Sequence, residues 1–269
     1  MRLPGSAFLV PIPPVQRVSG WCAAGGTASV GQGRHVIGEA HMRVVIMGGT
    51  SGIGLATAET LTAGGAEVIV TGRDAEKLAA VKDRVAGAEQ VDGASESAVT
   101  EFFERIGSFD HLVLAFSPGA LGLGPLAGVS LADIKGAFDG KLFPYLFALQ
   151  KAQVTGSVTV VSAATARAAA PGTVTFAAVN GAIERIVPPL AAELSPVRVN
   201  AVAPGVIDTP WWSFLPDDAK EAQFASAAEG LPAKRVGRPD DVADAIRYLI
   251  GSTYVTGTIL PVDGGFTVS

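Results

Sequence analysis

The sequence predicts a single doubly wound α/β domain, a central parallel sheet with helices on both faces. Three observations predict it. From residue 42 onward, short apolar runs alternate with longer helical patterns. The strand-like runs are apolar throughout rather than alternating, as a sheet covered on both faces requires. Repeated strand–helix units make that sheet parallel, with right-handed crossovers and ligands beyond the C-terminal ends of the strands.

In chain order, residues 44–47 (Val44-Val45-Ile46-Met47) form the first strand, ended by a glycine turn, and the helical window 53–62 follows. Residues 67–70 are the next strand and 75–85 the next helix. A helical window at 98–106 precedes the strand 111–115. The longest helical pattern, 131–153, leads into strand 158–162. Helix 175–194, strand 198–203, helix 239–249 and strand 258–262 complete the domain, each strand bounded by Gly, Pro or polar breaks.

Composition narrows the class. Of 269 residues, 48% are hydrophobic and 17% charged, enough for a large core. With 33 Gly and 17 Pro, tight turns and close backbone approaches are frequent. A formal charge of −5 offers no basic field for nucleic acid. The single Cys22 cannot form an intramolecular disulfide, and no Cys/His cluster has metal spacing. No uncharged apolar run reaches the ~18 residues of a membrane span. A cytoplasmic protein with a small-molecule substrate and no metal is the expectation.

Residues 1–41 read differently. Ala7-Phe8-Leu9-Val10 starts like a signal-peptide core, but Pro11, Pro13 and Pro14 break it, and the stretch from Gly20 to Gly38 has no period. The expectation is a flexible extension, or upstream sequence before a natural start at Met42.

The segment from Val44 through Met47-Gly48-Gly49-Thr50-Ser51-Gly52-Ile53-Gly54 is a strand, a glycine turn and a helix start. Gly48 permits the sharp exit, Gly52 lets backbone approach a pyrophosphate, and Gly54 permits close helix-on-sheet packing. Open N–H groups at the helix N-terminus then attract phosphate. The second strand ends Thr71-Gly72-Arg73-Asp74. Arg73 suits the 2′-phosphate of NADP(H), which a carboxylate would repel; the alternative is a solvated surface charge. Asp74 stands near the distance of an NAD-type carboxylate, but reads better as the N-cap of the next helix.

These residues, with several later motifs, resemble the short-chain dehydrogenase/reductase family over nearly all of residues 42–269. Gly48, Gly52 and Gly54 fit its TGxxxGxG, with Met47 in place of Thr. Asn200-Ala201-Val202-Ala203-Pro204-Gly205 with Thr209 matches the loop flanking nicotinamide. Arg235-Val236-Gly237-Arg238-Pro239-Asp240 and the stretch from Tyr254 to Gly265 match C-terminal signatures. The resemblance implies a Rossmann-type fold and a dinucleotide held by Gly48, Thr50, Ser51, Gly52, Ile53, Gly54, Arg73, Asp92, Pro204, Gly205, Ile207 and Thr209. Asp92, closing a third strand, matches the acid that contacts the adenine amine. It also implies a homo-oligomer, tetramer or dimer, paired through 254–265 and the helix 175–194.

The family's carbonyl chemistry uses a Tyr-x-x-x-Lys helix and a Ser thirteen residues before the Tyr. Here those positions hold Phe176, Asn180 and Ala163. The loop Asn-Asn-Ala-Gly is Leu114-Ala115-Phe116-Ser117, and Lys141 stands where the family has an Asn that holds a relay water. The amine has thus changed helices, or Lys141 is a snorkelling surface lysine. Candidate catalytic groups are Lys141, Asn180 and Ser162; Thr165, Thr175 and Ser117 are hydroxyls of the kind that cap and turn. Arg167 is a weak candidate for an anionic substrate. Trp211 and Trp212 form either a water-excluding lid over a hydrophobic substrate or packing against a neighbour. Three functions remain open: an NADP(H)-dependent oxidoreductase of a small carbonyl, alcohol or enone with an altered proton relay, a dinucleotide-binding regulator, and a non-redox isomerase or cyclase.

Overall fold

A computed structural model describes residues 42–268; the expectation for residues 1–41 lies outside the described residues. The strands are β1 (Arg43–Met47), β2 (Glu67–Gly72), β3 (Gly87–Gln90), β4 (Phe109–Leu114), β5 (Val154–Val161), β6 (Arg198–Pro204) and β7 (Ile259–Val262). The helices are α1 (Gly52–Ala63), α2 (Ala75–Val81), α3 (Glu96–Ile106), α4 (Leu131–Ala137), α5 (Phe143–Lys151), α6 (Val174–Glu193), α7 (Asp217–Gly230) and α8 (Pro239–Gly251). All pairings are parallel, in the order β3-β2-β1-β4-β5-β6-β7. β1 pairs with both β2 and β4, so the strand order reverses there and opens a crevice at the C-terminal ends.

The apolar runs are double-faced for the expected reason. Val44 and Ile46 pack with Ala58 and Leu61 of α1 and Val242, Ile246 and Leu249 of α8. Val45, one residue out of phase and fully buried, points to the opposite face. Phe102 and Phe103 of α3, Tyr145 and Ala148 of α5, and Ile183 and Val187 of α6 are buried as well. No helix among the described residues is long and apolar enough to cross a membrane.

Several boundaries differ from the sequence reading. The pattern over 131–153 is not one helix: α4 gives way to a π-helical turn, Phe138–Leu142, before α5. Pro144, at the start of α5, has no N–H to donate one turn back, so the ladder re-registers before it. The helical period survives the change, which is why the sequence hides it. Helix 75–85 stops at Val81, followed by a 3-10 turn, Lys82–Arg84. β5 begins four residues earlier than expected, because Thr155, Gly156 and Ser157 remain in the sheet beside a bulge in β4. The edge strand β3, Gly-Ala-Glu-Gln, has no apolar run to read, and Asp92 lies two residues beyond it. α7 was not expected; it buries no residue, so it carries no apolar stripe.

Inside the sheet, His111 Nδ1 lies 2.8 Å from Ser157 Oγ, and burial pushes the imidazole down to about 4. It is therefore neutral at physiological pH. Tyr145 ties the sheet ends together: its hydroxyl donates to Leu114 O at 2.8 Å, with Phe116 O and Val161 O at 3.2 and 3.3 Å. Burial raises this phenol far above its usual range, so it stays protonated. Tyr145→Phe leaves these buried carbonyls without their donor and should cost about 1–2 kcal/mol. Urea unfolding should show a lower midpoint with an unchanged m value.

Candidate active site

The glycine loop meets its geometric requirements. Gly48 and Gly52 have φ of +86° and +52°, a region side chains avoid. A Cβ on Gly54 would lie 2.1 Å from Gly48 O, so only glycine lets α1 pack this close to the loop. Ser51 caps α1 in extended conformation without a side-chain bond, leaving the first N–H groups of the helix open. A Cβ on Gly52 would come within 3.3 Å of Thr209, which brings the loop after β6 across the glycine turn. Ile207 in that loop is buried and bridges to Gly237.

Arg73 is exposed beyond β2, and its carbonyl accepts from Gln90 Nε2. Asp74 Oδ1 accepts from Glu76 N and Lys77 N, so this carboxylate is the N-cap of α2. Asp92 Oδ1 accepts from Ala94 N and closes its own turn. The glycine loop, Arg73, Asp92 and residues 204–209 follow β1, β2, β3 and β6, and so share one edge of the sheet.

The altered loop after β4 brings in an aromatic ring. Phe116 meets Tyr145 edge-on at 4.9 Å, and its ring lies 3.2 Å from where a Gly93 Cβ would be. A Cβ on Gly48 would lie 2.8 Å from Phe116 Cβ and 2.9 Å from Phe116 N, so the loop after β4 runs close over the glycine turn while its ring lies against Gly93.

Lys141 is not a surface lysine. Its π-turn position leaves it 8% exposed. Nζ donates to Asn180 Oδ1 at 2.7 Å and to Ser162 O at 3.4 Å. Both acceptors are neutral, and burial lowers the amine to about 7. Asn180 Nδ2 in turn donates to Phe176 O one turn back, which fixes the amide orientation.

Ser162 sits at the exit of β5, but its hydroxyl is turned into the protein. Oγ donates to Glu184 Oε1 at 2.9 Å, with Val202 O at 3.2 Å. Only its carbonyl meets Lys141. Arg167 donates Nε to Glu184 Oε2 at 2.9 Å, so part of its guanidinium is engaged within the chain. Ser117 Oγ accepts from Gly119 N, and Thr175 is buried against Gly122. Thr165 Oγ1 is buried without a partner.

The aromatic segment packs within the chain. Pro210–Phe214 is a 3-10 turn, with Trp212 Nε1 donating to Ile207 O. Trp211 meets Trp212 and Phe214 at 4.9 and 5.2 Å, and Trp212 meets Phe224 of α7. Trp211 also meets Phe176 edge-on at 5.9 Å, so the segment covers the start of α6. Sequence reasoning missed Glu184 and the placement of Phe116. The signal for Glu184 was its spacing of four from Asn180 and eight from Phe176.

Residues 48–267 match a family model described as enoyl-(acyl carrier protein) reductase. Glucose 1-dehydrogenase of Gluconobacter oxydans is 32% identical over 248 residues, covering 84% of this chain and 92% of that protein. A 3-oxoacyl-(acyl-carrier-protein) reductase of Aquifex aeolicus is 29% identical, over 82% and 95% of the two chains. Among solved structures, a small-chain dehydrogenase in complex with NADPH is 31% identical with a TM-score of 0.73, covering 85% of this chain and 100% of that one.

The buried amine makes stability depend on pH. The unfolded chain holds the Lys141 proton up to the ordinary 10.5, the folded chain only to about 7. Unfolding therefore takes up a proton between these values, and stability rises with pH across that window by up to ~1.4 kcal/mol per unit. Below it the burial cost is fully present and flat. Subtracting the unfolding free energy of Lys141→Met from that of the wild type, between pH 6.5 and 10, should isolate this slope. Parallel curves would contradict it.

Proposed function

The chain belongs to the short-chain dehydrogenase/reductase family, and from that premise we propose that it is an NADP(H)-dependent oxidoreductase whose proton relay runs through Lys141. The substrate class proposed is a small hydrophobic carbonyl, alcohol or enone. The observation that carries the reading is the buried hydrogen bond of 2.7 Å between Lys141 and Asn180. The family's phenol and ammonium positions hold Phe176 and Asn180, and Ala163 replaces the serine. The amine facing Asn180 from the π turn supplies a proton-carrying group where α6 has lost both of its own.

The residues present fit a dinucleotide. Open N–H groups from Thr50 to Gly54 suit a pyrophosphate, in a turn whose Gly54 has no room for a Cβ. Gly48 shapes that turn, Arg73 would clamp the 2′-phosphate, and Asp92 keeps one carboxylate oxygen for the adenine amine. Pro204, Gly205, Ile207 and Thr209 would flank the nicotinamide. When bound, NADPH supplies the hydride. Lys141, poised near neutrality, gives a proton to the substrate oxygen during reduction and takes it back during oxidation. Asn180 and the Ser162 carbonyl hold the amine in place; the Ser162 hydroxyl faces Glu184 instead of the amine. Trp211, over Phe176, excludes water and favours an apolar substrate.

Exposed apolar side chains support a homo-oligomer. Phe143 and Leu146, three residues apart on α5, are exposed, as are Val174 at the start of α6, Tyr248 and Tyr254.

Lys141→Met should lower kcat by ~10²-fold while NADPH affinity changes little. Absorbance loss of NADPH over a panel of quinones, ketones and enones is the assay, and unchanged turnover removes the relay. Arg73→Ala should weaken NADPH binding tenfold or more and leave NADH almost untouched. Cofactor fluorescence reads both, and equal wild-type affinity for the two cofactors overturns the NADP(H) assignment.

A further inference from the structure

We propose that Glu184, clamped by Arg167, is a positioning residue for Lys141 that acts both through Ser162 and through its balanced charge; the proposal rests on the relay reading above. Asn180 and Glu184 stand one turn apart on α6, and their side chains meet Lys141 and Ser162 at the exit of β5. Asn180 and Glu184 are buried, at 6% and 9% exposure. A buried carboxylate is costly unless its oxygens are occupied. Here Oε1 takes the Ser162 hydroxyl and Oε2 takes Arg167 Nε, each at 2.9 Å.

Ser162 has one hydroxyl proton and two acceptors in reach. Val202 O already receives Ser162 N at 2.9 Å, so the proton goes to the charged carboxylate. Ser162 is then held through both its N–H and its side chain, which sets the direction of its carbonyl. That carbonyl is the second acceptor of Lys141, and Asn180, one turn before Glu184, is the first. A single helix face therefore places both acceptors of the amine.

The same arrangement keeps the amine without a counter-ion. Lys141 is faced by Asn180 from α6, by Ser162 from the β5 exit, and by the Tyr145 ring at 5.9 Å from α5. Glu184 stands behind Ser162, and Arg167 balances its charge. Removing either member of the pair leaves the other uncompensated near Lys141. Glu184→Gln should favour the neutral amine, and Arg167→Met the ammonium. A tie that served only the fold would loosen the structure without producing opposite signs.

The test uses the full chain labelled with ¹³C-lysine, without cofactor or substrate, following the Cε resonance of Lys141 against pH. Its loss in Lys141→Met assigns it. Glu184→Gln should lower the midpoint by about one pH unit and Arg167→Met raise it by about as much, as expected when one nearby charge is removed from a buried site. The double variant should return close to wild type. The alkaline limb of kcat should move with the same signs, with KM unchanged. Midpoints that stay put, or move the same way in both single variants with circular dichroism intact, overturn the proposal. Where Glu184→Gln does not fold, an unmoved midpoint in Arg167→Met, whose side chain is one-third exposed, overturns it alone. A wild-type midpoint in the ordinary lysine range removes the relay reading instead.

Discussion

A parallel sheet covered on both faces leaves its strand ends as the place where groups from many elements converge, and this constraint shapes the rest of the molecule. Side chains from β1 alternate between the α1–α8 layer and the opposite helical layer, and all but Arg43 are buried. The candidate site residues gather at the C-terminal edge, where β1, β4, β5 and β6 end side by side. The glycine loop, the Phe116 ring, the β5 exit and the loop to Thr209 all lie there. Tyr145 closes the underside of this edge by donating to the carbonyl that ends β4. Its ring also supports Phe116 from below.

Within that edge, a buried amine must have acceptors, and the identity of the acceptors decides its protonation. Two neutral oxygens hold Lys141, from Asn180 and Ser162. The carboxylate close behind them is already satisfied by Arg167 and the Ser162 hydroxyl. Desolvation is then opposed by hydrogen bonds but not by a full opposite charge, and the amine falls toward neutrality. Phe176, one turn before Asn180, carries no hydroxyl on which the amine could act.

The strands dominated by Val, Ile and Leu were legible because each is buried on both faces and reads as an unbroken run. β3 and α7 were not, for opposite reasons of exposure. β3 is an edge strand with a glycine, an alanine and two polar residues, held in place by β2. α7 has no fully buried residue and leaves no stripe. The break in 131–153 was hidden because a π turn shifts the hydrogen-bond ladder without interrupting the apolar period. At the site, the glycine loop and Asp74 were legible because turn geometry and capping are local properties of a few consecutive residues.

The sequence by itself determined the strand–helix alternation, the glycine cradle at the first strand exit, and the absence of a phenol at Phe176. Each follows from residue type at a position or from a period along one segment. Only the tertiary structure decided that Lys141 is buried rather than at the surface, that the Ser162 hydroxyl turns inward, and that Arg167 serves Glu184. Those outcomes depend on contacts between residues 17 to 39 positions apart. Periodicity tells which side of an element is covered, but not which polar atom waits opposite; the packing of the π turn and the β5 exit against α6 supplies that partner.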